Sequence, residues 1–225
     1  MISTREKDMP VEREVAAFLD KHLYSNTDIF SEFVRTDGKT EQLQGSDVIL
    51  STADNKVYRK IVDEKVSIKY TNINLSTFAM ELSSINNAGK RQNGWFIDSS
   101  KTTEYYMLMW ILKADIPFDE KSGEWVYHEV NRDNIRKLQW ALVSRQKIMK
   151  FLEENNWGLY NIEEQVKKIL ERGYINEKYK KTFVRGVRFT YSKNNENMKE
   201  MPINLLIKKE VYLELADAKG IIYNN

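Results

Sequence analysis

Apolar residues at Val11, Val15, Phe18, Leu19 and Leu23 recur at the spacing of one helix face and predict a first helix over residues 10–24. Pro10 suits its first position, where the missing N–H is one that a helix start leaves unpaired anyway. A polar stretch with the turn signal Asp37-Gly38 follows. Residues 43–51, LQGSDVILS, read as a strand and Ala53-Asp54-Asn55 as a turn. Residues 57–68 read as the returning strand, with Val57, Ile61 and Val62 supplying β-branched side chains. A second strand pair is expected from residues 77–85 and 94–98, joined through Asn86-Asn87-Ala88-Gly89. The aromatic run 105–112 reads as a further strand.

After Asn131 the spacing changes. Ile135, Leu138, Leu142, Met149 and Leu152 predict one long amphipathic helix of about five to six turns. Asn161 with Glu164 resembles a capping box opening another helix, and Gly173 is its expected stop. Residues 182–192 and 203–207 read as strands, followed by a last helix ending near Gly220. This order predicts an α/β chain of the α+β kind, with a mixed, largely antiparallel central sheet flanked by helices and a helical C-terminal part. A length of 225 residues with three prolines and nine glycines fits one elaborated domain without a long linker.

Composition narrows the chemistry. Hydrophobic residues make up 41% and charged residues 30%, enough for a packed core. The absence of cysteine excludes disulfides, thiol nucleophiles and thiolate zinc sites. With His22 and His128 as the only histidines, a metal would have to sit on carboxylates, which points to hard ions such as Mg2+ or Mn2+. The polar N-terminus and the lack of a membrane-length apolar run predict a cytoplasmic protein with no membrane partner. Charge is unevenly spread: residues 1–130 carry 16 Lys and Arg against 21 Asp and Glu, and residues 131–225 carry 19 against 12. A carboxylate-rich half joined to a basic half suits a metal site beside a phosphate-binding surface.

The informative stretch is Gly45-Ser46-Asp47, then Asp63-Glu64-Lys65. If the two strands pair as a hairpin, Asp47 and Asp63 approach each other. Asp63 and Lys65, two apart, share one strand face, and Glu64 takes the other. Two carboxylates and an ammonium on one spot suit phosphodiester hydrolysis. The acids hold a divalent ion, and the lysine positions water or stabilises developing charge. On the residues alone, Asp47 can equally cap a turn, and Asp63 with Lys65 can be an exposed salt bridge.

These residues resemble the PD-(D/E)xK nuclease superfamily, in which a Gly-Ser-Asp opens one core strand and an acid-x-Lys lies on the next. The family core is a helix, three antiparallel strands, a helix and a strand; here residues 70–112 read instead as strands. The resemblance covers roughly residues 10–110 and implies a restriction-endonuclease-like core over residues 10–112, with residues 131–225 as a basic helical and strand extension. It implies a metal-dependent DNA endonuclease with Asp47 and Asp63 as metal ligands and catalytic groups, Lys65 catalytic, and Glu14 of the first helix assisting, with Glu12 in its place if the helix is rotated. Glu81, within the apolar run 78–82, either supports that site or faces solvent by alternation. The set Thr77-Phe78, Glu81-Leu82-Ser83, Gly94-Trp95 and Thr103–Tyr106 also resembles bacterial and phage-type proteins.

Lys178, Lys180, Lys181, Arg185 and Arg188 place five positive charges in eleven residues, interleaved with aromatic side chains, which suits a grip on DNA phosphates. The alternative function is a non-enzymatic module of the same fold that binds nucleic acid or protein, associated with a phage or mobile element. A homodimer is left open.

Overall fold

The computed structural model describes residues 4–26, 28–36, 44–86, 88–192 and 200–224. The Asp37-Gly38 turn signal and Asn87 lie outside them. Helix α1, Thr4–Leu19, passes into a wider i→i+5 turn, Asp20–Tyr24. Three antiparallel strands follow: β1 (Phe30–Arg35), β2 (Val48–Thr52) and β3 (Lys60–Val66). Next come β4 (Thr77–Ile85), β5 (Arg91–Asn93), β6 (Tyr105–Ala114), the short pair β7 (Phe118–Asp119) and β8 (Glu124–Trp125), and β9 (Ile135–Ser144). The remainder is α2 (Arg145–Glu154), α3 (Leu159–Arg172), α4 (Glu177–Lys181), β10 (Val187–Tyr191), β11 (Ile203–Lys208), α5 (Lys209–Leu215) and β12 (Ala218–Tyr223).

The main sheet has six strands in the order β1-β2-β3-β6-β9-β12. Every neighbour pair is antiparallel except β3 and β6, which are parallel. A second sheet, β10-β11-β4-β5, is antiparallel throughout. The fold is therefore α+β with a mixed sheet. Residues 131–225 are interleaved with the earlier ones rather than appended to them: β9 and β12 extend the main sheet beyond β6, and β11 pairs with β4.

The apolar stripe of α1 packs on one face of the main sheet. Val11, Val15, Phe18 and Leu19 meet Val62, Met107, Met109, Leu138, Trp140 and Leu142. The other face meets the second sheet and helices α2 and α3 through Tyr106, Leu108, Trp110, Ala141 and Val143. Both β6 and β9 are thus apolar on both faces, as strands covered on both sides are. This corrects the long helix expected after Asn131. Its first half is β9, and the helix begins only at Arg145. Leu138 and Leu142 share a face at helical spacing, but with Trp140 they also share one at strand spacing, and the continuous run Trp140–Val143 is that of a doubly covered strand.

The expected last helix divides in the same way, into α5 and β12. Gly220 lies inside β12, where an added Cβ would stand 3.2 Å from the Trp140 ring. Residues 94–98 form a turn rather than a strand, and β5 precedes them. The expected 182–192 strand shortens to β10. Asn161 does not cap α3: Gly158 holds that position, while Gly173 closes the helix at φ 73° as its sequence position suggested. Strand β1 went unread because it is a half-exposed edge with an irregularity between Phe30 and Glu32. No helix among the described residues is long and apolar enough to cross a membrane.

One polar network ties α1 to the sheet. Glu64 accepts from Tyr24 Oη at 2.6 Å and from Arg35 Nη1 at 2.6 Å. Arg35 also donates to Asp20 at 2.6 Å and to the Ala16 carbonyl at 3.0 Å. Arg35→Met leaves the buried Glu64 carboxylate without its cation, which is expected to lower unfolding free energy in urea by about 3 kcal/mol. Arg59→Met breaks the exposed pair with Glu32 and is expected to cost less than about 1 kcal/mol.

Candidate metal centre

Asp47 sits just before β2, where its N–H donates to the Val62 carbonyl at 3.0 Å. Its carboxylate turns onto β3, and Oδ2 accepts from the Glu64 N–H at 2.8 Å. The approach depends on Gly45, held at φ 79° with its carbonyl accepting from Thr103 Oγ1 at 2.8 Å. A Cβ at Gly45 would stand 2.3 Å from Thr103 Oγ1 and 3.5 Å from Asp63 Oδ2, so a side chain here would strain the backbone and close the space beside Asp63.

Asp63 is 3% exposed, and its Oδ1 receives the Lys65 ammonium. Strand alternation puts Asp63 and Lys65 on the face opposite Val62 and Glu64. There the Lys65 ammonium stands 5.2 Å from the Trp95 ring centroid. The Asp63 carboxylate lies close enough to Asp47 to act on it through both charge and hydrogen bonding. Burial raises the Asp47 pKa and the Asp63 charge adds to it; Lys65 opposes both, leaving Asp47 at about 7. Burial also works against the Lys65 ammonium, but Asp63 and Asp47, and more distantly Glu12, outweigh it and raise its pKa.

The structure thus brings Asp47, Asp63 and Lys65 together. It does not bring Glu14 to them. Arg132 clamps that carboxylate through its backbone N–H at 3.1 Å, Nε at 2.7 Å and Nη2 at 2.8 Å, and these bonds hold the Glu14 pKa down at about 2. The α1 acid whose field reaches Lys65 is Glu12. Glu81 belongs to neither group. Met80 and Leu82 face the core, so Glu81 takes the outer face of the second sheet, where it accepts from Ser84 Oγ at 3.1 Å.

The basic segment divides. Lys178, Lys180 and Lys181 ride on α4, where Glu177 pairs with Lys180 at 4.0 Å and Lys181 at 2.8 Å. Arg185, at φ 52°, forms the turn into β10. The Arg188 guanidinium lies 5.4 Å from the Phe183 ring, with the Lys208 ammonium 5.6 Å from the same ring. This group occupies the β10 edge of the second sheet, whereas Trp95 follows β5 at the opposite edge.

Two further residues adjoin the pair. Tyr106 is the register partner of Asp63 across β3 and β6, and its buried hydroxyl faces the Arg145 guanidinium, which opposes the rise in pKa that burial causes. Arg145 opens α2 at that end of the sheet and donates from Nη2 to the Phe96 carbonyl at 3.2 Å. Tyr106 lay within a motif already singled out in the sequence. Arg145 was hidden among the basic residues of the misread helix.

Among the described residues no group of three or more His, Cys, Asp or Glu is gathered around one point. Two carboxylates, with the Asp47 pKa raised to about 7 chiefly by burial, fit a hard divalent ion that keeps several waters. They do not fit a closed, all-protein cage.

The Asp47 shift sets a pH dependence. Its folded-state pKa lies above the unfolded value, so the stability it contributes is fully present below about pH 4 and is lost as pH rises through about 7. Urea denaturation in chelator should therefore show wild type losing stability from pH 4 to 7.5 more steeply than Asp47→Asn, and parallel curves would remove the coupled pair. No protein-family model, curated protein or solved structure matches this chain.

Proposed function

We propose that the protein hydrolyses phosphodiester bonds in DNA with Mg2+ or Mn2+, as the resemblance to the PD-(D/E)xK superfamily implies. The observation that carries the reading is the convergence of Asp47, Asp63 and the Lys65 ammonium at one end of the main sheet. Chain order supports it as well. A helix, three antiparallel strands and a strand parallel to the third agree with the family core at every element but one: the connection from β3 to β6 runs through β4 and β5 instead of a helix.

Asp47 and Asp63 would hold the ion. Its contribution when bound is Lewis acidity toward a phosphoryl oxygen and a water of lowered pKa. Asp47 gives up its proton as it becomes a ligand. Lys65, charged and set against Asp63, is placed to hold the attacking water or a non-bridging oxygen, and the Trp95 face limits its swing. Arg145 adds a second cation at this end of the sheet, which favours a phosphate over a neutral substrate.

A non-enzymatic nucleic-acid- or protein-binding module is the second reading. It is favoured by the closed Asp63–Lys65 ion pair and by there being two gathered acids rather than three.

The test is cleavage. A panel of linear, single-stranded, flapped and four-way DNA is expected to include a substrate cut with Mg2+ or Mn2+ and spared with chelator. Lys65→Ala should lose about 10²-fold or more in rate while still binding Mn2+, and Asp63→Asn should lose both. A panel left uncut with either metal selects the second reading. Under either reading, replacing Lys180, Lys181 and Arg185 by Ala should weaken DNA binding for all sequences alike and flatten its salt dependence; unchanged binding assigns that segment to solvent.

A further inference from the structure

Strand β6 runs from the acid pair to a second polar feature. At its far end, roughly 23 Å from Tyr106 at about 3.3 Å per residue, Lys113 and Lys137 are register partners across β6 and β9. Like charges directly opposite on an antiparallel pair repel. The register is irregular on both sides of Lys113, as at a bulge that re-aims a side chain. Among the described residues neither lysine has an ion-pair partner. The Lys137 ammonium instead stands 5.2 Å from the Tyr223 ring, and the nearby acid Asp115 is taken by Arg136 at 2.6 Å.

Both lysines line one open cleft of about 650 Å³, together with the Trp125 side chain and Asn74. Asn74 is anchored from behind: its Oδ1 accepts from the buried Lys209 ammonium at 2.6 Å, which leaves its amide N–H groups as donors. Lys209 is 9% exposed, bonds two neutral amide oxygens and has no carboxylate partner among the described residues. Two ammonium groups thus line a cleft whose one acid is already paired, and a third, Lys209, stands behind Asn74. The volume exceeds what a lone phosphate needs and lies in the range of small-molecule sites.

We infer that this cleft is a binding site for a nucleoside phosphate, with the phosphates on Lys113 and Lys137, the flat base against Trp125, and a base or sugar oxygen on Asn74. Its evidence is separate from the acid pair, so it stands whether or not the protein cuts DNA.

Calorimetry at low salt with ADP, pyrophosphate and adenosine as probes tests it. ADP is expected to bind more tightly than pyrophosphate, and adenosine weakly or not at all. Lys113→Ala/Lys137→Ala should weaken ADP at least tenfold while its far-UV spectrum stays native. Trp125→Ala should erase the advantage of ADP over pyrophosphate and leave pyrophosphate binding in place. Lys113→Gln alone should raise the melting temperature without ligand and shrink the rise that ADP produces. A 5′-phosphorylated dinucleotide that competes with ADP would identify a strand end as a second source of the same chemistry. No binding of ADP or pyrophosphate at millimolar concentration overturns the assignment, as does affinity unchanged in the double variant or in Lys113→Gln.

Discussion

The structure depends on β6 and β9 being buried on both faces. Met107, Met109, Leu138, Trp140 and Leu142 face α1, while Tyr106, Leu108, Trp110, Ala141 and Val143 face the second sheet. Register follows from that: a one-residue slip of β9 would exchange Trp140 with Ala141 and overfill one core while emptying the other. Gly220 adds to the same constraint, since a side chain there would press on the Trp140 ring.

Polar chemistry is displaced to the ends of this sheet. At one end β3 carries Asp63 and Lys65 on the face of the second core, near its limit, with the Trp95 ring against Lys65 and Tyr106 beside Asp63. Partial burial gives the acids their character. In water two carboxylates would ionise independently. Here Asp47 keeps its proton to about pH 7, because burial and the Asp63 charge together outweigh the pull of Lys65. At the other end the lysine pair of β6 and β9 faces an open cleft. The network of Glu64, Arg35 and Tyr24 on the opposite face of β3 fixes the strand that bears the acids, so one element carries both the ion-paired Glu64 and the candidate site residues beside it.

Much of this was legible because it is local. The stripe Val11 to Leu23, the β2–β3 hairpin, and the pairing of Asp47 with Asp63 follow from spacing over at most about twenty residues, and α+β architecture follows from their order. What could not be read is set by distant contacts. Whether Ile135–Ser144 is helix or strand is decided by β6 and β12, which cover its edges. That Glu14 is held away from Lys65 is decided by Arg132, more than a hundred residues away in sequence. Glu81 was ambiguous until β4 had a face to the core, and Glu177, one residue before the basic run, neutralises part of it.

The central claim is that Asp47 and Asp63 act as one ligand pair for a divalent ion, with a proton on Asp47 that the ion displaces. Calorimetric titration with Mn2+ in buffers of different ionisation enthalpy measures it directly by counting protons released on binding. At pH 6 the account requires release of about one proton per ion, falling toward zero above pH 8, because the ion displaces the proton that Asp47 holds. Mn2+ binding without proton release at pH 6, or no binding at any pH in that range, would contradict it.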